Sequence, residues 1–393
     1  MTRWLHPGFT LVDEHGAAAA AEIEAAAQRL GKELPWRGRA GLAAVDARTI
    51  LTALIAAETR QCDLFLIRDA TSGAEIGHRI EGDLVFELVP DATAGTGLVW
   101  LQSSGTTGRP KWASHTPAAL RQRIAAGQAP ARWLLSYAPG AFAGLQVILS
   151  AAIGGHHLVT GSSSDGIADL ADLALTHQVT HLSGTPTFWR AFLMALKDAT
   201  PPLAAVTLGG ETADQPLLDL LRRKFPAARL RHLYATTELG TVFSVADGRA
   251  GFPATWLGAD LAVTDEGTLA VRRDGILRDT GDRVAVEGDR VLFRGRIDAM
   301  VNIGGVKIWP EEVEAHLLQL PCLADALVAT KPNPITGSIL TADLVPAAGV
   351  TETEARALVK AHLEALPRAA RPAVLRFVPA LQIGETGKKS RAP

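Results

Sequence analysis

The chain of 393 residues contains only two cysteines, Cys62 and Cys322. They are far apart in the sequence, and neither has a Cys or His neighbour at metal-ligand spacing. Such sparse cysteine usage suits a reducing compartment. The first residues also lack the apolar core of a signal peptide. We therefore expect a cytoplasmic protein.

An excess of charge of either sign is also absent, since the net charge is −2 and the isoelectric point is near 6.6. This balance provides no electrostatic reason to expect nucleic acid or an anionic membrane as a partner. The longest apolar run, residues 142–158, is interrupted by Gln146, Gly154 and Gly155 and is too short to span a bilayer. It predicts a buried helix that ends at glycine. The alanine-rich residues 17–27 predict another helix, exposed or half-buried.

Residues 101–111 (LQSSGTTGRPK) combine two glycines, four hydroxyl side chains and one lysine. Glycine lets a backbone approach a ligand closely, and successive free N–H groups with hydroxyl and ammonium donors bind anions. The segment is not a Walker A loop, because Gly105 and Gly108 are three residues apart and Pro110 precedes Lys111. Both flanks predict strands, so we expect a hairpin whose loop grips a nucleotide triphosphate. Taken alone, the segment is more readily an ordinary Ser/Gly turn.

Apolar runs alternate with helical patterns between residues 50 and 245. Runs of this kind occupy residues 62–67, 157–160, 179–183 and 204–208. The alternation predicts α/β layers with largely parallel strands. Between residues 255 and 296 the pattern changes to short strands with tight turns, which predicts antiparallel hairpins.

A compact unit is predicted after Asp298. Pro310 opens a helix whose first turn is acidic, and Thr351 with Glu354 forms a capping box for a second helix. Strands are predicted at residues 326–330, 338–345 and 373–378. The resulting order, α-β-β-α-β, predicts a small α+β domain.

Four further segments carry compact polar motifs, in the order 234–238 (YATTE), 278–282 (RDTGD), 295–314 (GRID, then GGVKIWPEEVE) and 387–391 (GKKSR). Together with residues 101–111, they resemble the ordered signature motifs of the adenylate-forming superfamily. That superfamily comprises acyl- and aryl-CoA synthetases, peptide-synthetase adenylation domains and luciferases. Five motifs in the right order make chance an unattractive explanation.

The resemblance implies an α/β fold with a large layered N-terminal domain, residues 1–297, and a small mobile C-terminal α+β domain, residues 298–393. Superfamily members usually have a longer region before the phosphate loop than the 100 residues available here. We therefore expect the large domain to be trimmed at its N-terminus. Asn302 stands where a lysine is frequent in the family, and we take this departure as neutral for adenylation.

The resemblance also assigns residues to ATP. Tyr234 resembles the residue that stacks on adenine, and Asp282 resembles the acid that accepts hydrogen bonds from both ribose hydroxyls. Arg296 resembles the neighbour of that acid at the ribose and hinge. For Glu211, a purely structural turn is an equally good interpretation. The full expected ATP site is Ser103, Ser104, Gly105, Thr106, Thr107, Gly108, Lys111, Gly209, Gly210, Glu211, Tyr234, Asp282 and Arg296.

Three residues are the candidate catalytic groups. Lys388 resembles the lysine that bridges the acyl carboxylate and the α-phosphate, with Lys389 as a competing candidate. A compact ammonium on a flexible stem suits such a transient bridge. Thr237 resembles the α-phosphate contact and Glu238 the magnesium ligand, which fits the preference of this hard cation for oxygen. The implied cofactors are ATP and Mg²⁺, and the co-substrate is CoA or phosphopantetheine.

A pocket for the acid is expected to be lined by Phe142, Gly144, Ser183, Gly184, Thr185 and Gly209. Residues 137–145 fall where many acyl-CoA synthetases carry a Phe-His pair, and this stretch contains no histidine, as in some benzoate-type ligases. Small residues leave a short, flat slot. We therefore expect a planar aryl acid rather than a long acyl chain.

The function implied is ATP-dependent formation of an acyl- or aryl-adenylate, followed by transfer to a pantetheine thiol. Asp298 is the expected hinge, and Gly304 and Gly305 would face the thiol. The acceptor, CoA or a carrier protein, stays open because both carry the same pantetheine. The alternatives are a non-catalytic nucleotide- or adenylate-binding regulator, a medium-chain acyl ligase and a luciferase-type oxygenase.

Overall fold

The computed structural model describes residues 4–33, 38–43, 46–67, 86–88, 96–103, 111–122, 124, 129–162, 164–237, 239–273, 275–333, 337–382 and 389. Buried apolar side chains of these residues gather into four cores, one of which is confined to residues 303–370. In this part of the chain, no helix is both long enough and apolar enough to cross a membrane.

Two layered sheets with mostly parallel central strands form the first part of the chain. The strands are β1 Thr10–Asp13, β2 Gly16–Ala19, β3 Arg39–Ala43, β4 Asp63–Ile67, β5 Phe86–Leu88, β6 Val99–Ser103, β7 Lys111–His115, β8 Arg132–Leu135, β9 His157–Thr160, β10 His181–Gly184, β11 Ala205–Leu208, β12 Arg229–Thr236 and β13 Gly240–Val245. The helices are α1 Ala20–Glu33, α2 Ala47–Arg60, α3 Pro117–Arg121, α4 Phe142–Gly154, α5 Ile167–Thr176, α6 Pro186–Leu196 and α7 Gln215–Lys224.

The larger sheet has eight strands in the order β13-β12-β11-β10-β8-β9-β1-β2. Its six central strands are parallel, and β2 and β13 pair antiparallel at the two edges. The smaller sheet, β5-β3-β4-β6-β7, pairs β3, β4 and β6 in parallel. The predicted α/β layering is thus confirmed. Strands buried on both faces explain why the apolar runs are continuous rather than alternating.

Helix α4 confirms the buried helix that was predicted to end at glycine. Eight of its residues are buried, and Gly155 closes it in the left-handed region with φ of 77°. The alanine-rich helix was placed too early, because residues 16–19 form β2 and pair with β1. Ala18 is buried in that pairing, and helix α1 begins only at Ala20. Tertiary pairing therefore overrides the helix propensity of alanine there.

An antiparallel sheet follows, as the short strands and tight turns predicted. Its strands are β14 Phe252–Pro253, β15 Leu261–Val263, β16 Thr268–Arg273, β17 Ile276–Glu287 and β18 Arg290–Arg296, in the order β14-β18-β17-β16-β15. Phe252, Leu269 and Val291 are completely buried at the centre of its core. A single helical turn, Ile297–Ala299, follows β18 and contains the predicted domain boundary.

The C-terminal domain has its own core. It contains β19 Val301–Ile303, β20 Val306–Ile308, α8 Pro310–Leu317, β21 Leu323–Asn333, β22 Gly337–Pro346, α9 Glu352–Leu363 and β23 Val374–Phe377. Thr351 and Glu354 form the predicted capping box at the start of α9. Leu317, Val328 and Val359 are fully buried between the helices and the three-stranded sheet β21-β22-β23. The predicted α-β-β-α-β order is confirmed from α8 onward, and the hairpin β19-β20 that precedes it was not predicted.

Candidate active site

Strands β6 and β7 form the predicted hairpin, pairing Val99 with His115 and Ser103 with Lys111. The glycine-rich segment, residues 104–110, connects them and lies outside the described residues, as do the side chains of Ser103 and Lys111. The hairpin is therefore confirmed. Phosphate binding by its loop stays a prediction.

The carboxyl ends of β10, β11 and β12 gather the residues expected around the acid. In open α/β sheets, this edge is where ligands bind. The hydroxyl of Tyr137 lies 3.4 Å from Oγ of Ser183, and a Cβ on Gly209 would lie 3.8 Å from the same hydroxyl. Burial raises the pKa of Tyr137 well above its ordinary value, so the group stays a neutral donor.

Three small residues predicted to line the pocket are explained by close packing or helix capping. A Cβ on Gly144 would lie 2.1 Å from the carbonyl oxygen of Ala138, and one on Gly184 would lie 2.3 Å from the Phe188 ring. Thr185 caps helix α6 by accepting a 3.0 Å hydrogen bond from the backbone of Phe188. Close packing thus accounts for the absence of larger side chains at these glycines. That they line a cavity stays a prediction.

His115 contacts Phe142 at the same edge, with ring centroids 5.5 Å apart. A Cβ on Gly240 would lie 3.7 Å from Cζ of Phe142, so this ring lies between β7 and the start of β13. His115 lies outside residues 137–145, the stretch in which a pocket histidine would have been expected, and was not predicted as a site residue. The one feature of the sequence that could have indicated a role for His115 is its position at the end of the predicted second strand of the hairpin, β7.

The residues assigned to the ribose and hinge meet in one hydrogen-bonded group. The Tyr234 hydroxyl donates to Oδ2 of Asp282 at 2.5 Å, and Arg296 donates to Oδ1 at 3.2 Å. Arg296 also donates to Asp298 at 3.0 Å, which links the group to the predicted hinge. The Tyr234 ring stacks on Phe243 and Phe293 at centroid distances of 5.2 and 5.0 Å. Neither phenylalanine belongs to the motifs that predicted the site.

Thr237 lies in the turn after β12, and Glu238 lies outside the described residues. Next to them, Oγ1 of Thr236 accepts a 3.0 Å hydrogen bond from the backbone of Leu239. Among the described residues, no three His, Cys, Asp or Glu side chains gather in an arrangement that could hold a metal ion. The assignment of Glu238 to magnesium accordingly stays a prediction.

Glu211 connects the glycine-rich edge to the tail of the chain. Its Oε2 accepts from the backbone and the hydroxyl of Thr187, at 3.0 and 2.7 Å. Its Oε1 accepts from the backbone N–H of Lys389 at 3.3 Å. Gly210, with φ of 83°, gives the edge a left-handed turn that favours glycine. Lys389 is thereby held against the edge at residues 209–211.

The two terminal lysines differ in what the structure describes. Lys388 lies outside the described residues. The ammonium of Lys389 donates to the carbonyl of Ala326 at 2.5 Å and lies 2.8 Å from Asp325. Lys389 is thus occupied within the C-terminal domain, which favours Lys388 for the bridging role.

Gly304 and Gly305 form the turn between β19 and β20, with φ of 57° and 88°. The side-chain oxygen of Asn302 accepts a 2.8 Å hydrogen bond from the backbone of Gly305. The departure from lysine at position 302 therefore has a local consequence, because the shorter amide stabilises the turn of this hairpin.

Comparisons with known proteins agree with this architecture. The AMP-binding enzyme family matches residues 42–277, and the AMP-binding enzyme C-terminal domain matches residues 312–388. A 2-succinylbenzoate–CoA ligase of Bacillus velezensis is 26% identical over 356 residues, covering 78% of this chain and 72% of the ligase.

Two solved structures show the same fold. E. coli MenE with bound OSB-AMS has a TM-score of 0.73 at 20% identity, covering 96% of this chain and 95% of that one. The anthranilate CoA ligase AuaEII in complex with anthranoyl-AMP has a TM-score of 0.70 at 16% identity, covering 97% and 92%.

The layered domain and the smaller C-terminal domain, each matched by its family model, define an enzyme of the adenylate-forming class. The chain belongs to the AMP-binding enzyme family. The resemblance drawn from its five motifs is confirmed.

Proposed function

We propose that this protein activates a carboxylic acid with ATP, releases pyrophosphate and transfers the acyl group from the adenylate to a pantetheine thiol. The observation that carries the proposal is the hydrogen bond from the backbone of Lys389 to Glu211. It holds Lys389, which follows Lys388 in the sequence, at the edge where Gly209 approaches Tyr137. A cation placed there would offset the repulsion between carboxylate and triphosphate.

The nucleotide would lie along the carboxyl ends of β11 and β12. Asp282 would accept from the ribose hydroxyls, since a carboxylate can accept several hydrogen bonds and Tyr234 and Arg296 hold it in place. Thr237 and the loop of residues 103–111 would bind the phosphates. The adenine would lie beside Tyr234, whose hydroxyl and stacked ring fix the position of the aromatic face.

Glu238 would hold magnesium, and the ion would neutralise charge on the departing pyrophosphate. After adenylation, the C-terminal domain would rotate about Asp298 and present Gly304 and Gly305 to the thiol. The position of Asp298 supports this, because it lies in the single turn that joins β18 to β19 and is held there by Arg296.

The acid is proposed to be planar and aromatic, with or without a hydroxyl group. Tyr137, Phe142 and His115 would provide aromatic rings beside the acid, which supports this proposal. The similar proteins named above carry 2-succinylbenzoate and anthranilate in their names, and both compounds contain a benzene ring. CoA and the phosphopantetheine arm of a carrier protein are both suitable acceptors. A cytoplasmic location stays a prediction.

The direct test is pyrophosphate release from ATP across a panel of benzoates, aliphatic acids and amino acids. We expect release only with an acid present and most rapidly with benzoates. If every acid fails while ATP still binds, the alternative of a nucleotide-binding regulator is supported instead. A preference for aliphatic acids would keep the adenylation proposal and exclude the aryl one.

A further inference from the structure

Asp325 is a buried carboxylate that is shared by a cation from each domain. It lies near the start of β21 and is 5% exposed. Its Oδ1 is 2.8 Å from Nζ of Lys389 and 3.8 Å from Nε of Arg190. Arg190 belongs to helix α6 of the N-terminal domain, and Lys389 belongs to the terminal tail. One buried charge therefore connects the large domain, the small domain and the tail.

The Lys389 side chain fastens the tail to the body of the small domain. Besides Asp325, its ammonium contacts the carbonyl of Ala326 at 2.5 Å and lies 4.0 Å from Glu314. Glu314 is only 7% exposed. Removing one cation from beside buried carboxylates reduces the compensation of their charge, which is unfavourable. These carboxylates therefore favour a cation at position 389.

Arg190 reaches from the large domain to the small one. It is 7% exposed, and Asp214 fixes it within its own domain through a 2.6 Å ion pair. Its other terminal nitrogen donates to the carbonyl of Ala324 at 2.9 Å. Rotation of the small domain would separate Arg190 from Ala324 and Asp325. These contacts are therefore specific to the domain orientation seen here.

Lys389 is held at both ends. Its ammonium binds the small domain, and its backbone N–H binds Glu211 of the large domain. The Glu211 carboxylate is itself fixed by Thr187. A residue held in this way sets the register of the tail, and hence the place of its neighbour Lys388.

We infer that Lys389 and Arg190 are positioning residues that act through Asp325. Lys389 sets the register of the tail, and Arg190 docks the small domain, so that Lys388 reaches the acid and the α-phosphate. The inference rests on the proposed function. The cluster serves the adenylating half-reaction alone, because its cross-domain contacts open when the small domain rotates for thiol transfer.

Lys389→Met and Arg190→Met test this inference in each half-reaction separately. The adenylating half-reaction is measured by ATP–pyrophosphate exchange with an aromatic acid. The transfer half-reaction is measured by thioester formation from supplied aryl-adenylate and free pantetheine. A misplacement of about 1 Å costs up to roughly 10²-fold, so we expect the exchange kcat to fall between about tenfold and 10²-fold. We expect the KM for ATP and thioester formation to change less than about twofold, because neither depends on the tail register.

Lys389→Arg keeps the cation and should restore most of the exchange. Arg290→Met is the matched control, since Arg290 is 5% exposed and binds Asp247 and the Gly251 carbonyl within the N-terminal domain. It should affect both half-reactions alike or neither. If Arg190→Met does not fold, Lys389→Met alone tests the positioning role.

Unchanged exchange in Lys389→Met, or an equal loss in both half-reactions, would overturn the inference. The proposed function fails in a different way, when the wild-type chain shows no exchange with any acid. If the wild type shows exchange and Lys389→Met shows the same exchange, only the positioning role is refuted and the proposed function stands.

Discussion

The hydroxyl of Tyr234 donates a 2.5 Å hydrogen bond to the carboxylate of Asp282, across 48 residues of sequence. Burial, and then the negative charge of Asp282, raise the pKa of Tyr234 far above its ordinary value. The phenol therefore stays a proton donor at any physiological pH. The bond joins the strand expected beside adenine to the acid expected at the ribose.

Tyr234→Phe removes this donor while it keeps the ring. A hydrogen bond to a charged group contributes about 1.5–3 kcal/mol, so we expect the KM for ATP to rise by about tenfold or more. Steady-state exchange assays at varied ATP provide the measurement. Tyr137→Phe is the control, because Tyr137 is the only other tyrosine and contacts Ser183 on the acid side. It should alter the KM for the acid instead; an unchanged ATP KM in Tyr234→Phe contradicts the assignment.

Lys388→Ala should lose roughly 10²-fold or more in adenylate formation, as other electrostatic transition-state contacts do. Thioester formation from supplied adenylate should survive, because the lysine would be withdrawn in that step. Both rates are measured by following pyrophosphate exchange and thioester separately. An equal loss in both steps would contradict the bridging role and point to a fold defect.

Asp298→Pro should allow adenylation and sharply reduce thiol transfer. Proline fixes φ near −65° and so restricts the proposed pivot. Asp298→Ala is the matched control, since it removes the contact with Arg296 and leaves the backbone free. Single-turnover transfer from a preformed adenylate distinguishes the two variants. Normal overall turnover in the proline variant would place the hinge elsewhere.

Aromatic acids should exceed hexanoate and longer chains by at least about tenfold in kcat/KM, which corresponds to roughly 1.4 kcal/mol. The neighbouring rings of His115 and Phe142, which we propose to lie beside the acid, are the physical reason. A hydroxyl on the substrate should matter strongly only if the pocket provides a matching polar group. Competition between benzoates and aliphatic acids measures the ratio, and a preference for medium chains would contradict it.

Gly144→Ala should destabilise the fold although alanine favours helices. The gain in helix propensity is about 1 kcal/mol, whereas the added Cβ would lie 2.1 Å from the Ala138 carbonyl oxygen, and overpacking of this kind costs about 1–3 kcal/mol. Chemical denaturation gives the free energy of unfolding. Gly258→Ala is the control, because nothing lies within 4 Å of a Cβ at that position. Equal stabilities would show that the helix start can move away from residue 138.

The fold was predictable wherever a pattern is local. Alternation on both sides of residues 104–110 predicted the hairpin, and continuous apolar runs predicted parallel strands. The predicted start of α1 was wrong because pairing with β1, a tertiary contact, decides the structure of residues 16–19.

Only those site residues that belong to a sequence motif could be predicted. Asp282, Arg296 and Asp298 belong to motifs, and the structure brings them together. Arg190 and Asp325 are 135 positions apart and belong to no motif, so no spacing in the sequence could pair them. His115 likewise becomes a neighbour of Phe142 only through sheet packing.

Attack of the carboxylate on the α-phosphorus can be followed with an acid labelled with ¹⁸O in both carboxyl oxygens. Turnover with ATP and a pantetheine thiol should transfer one ¹⁸O to AMP, because the oxygen that forms the adenylate remains with phosphorus when the thiol displaces AMP. Mass spectrometry of the isolated nucleotide measures this. Unlabelled AMP, or label in phosphate with ADP as the product, would exclude this attack.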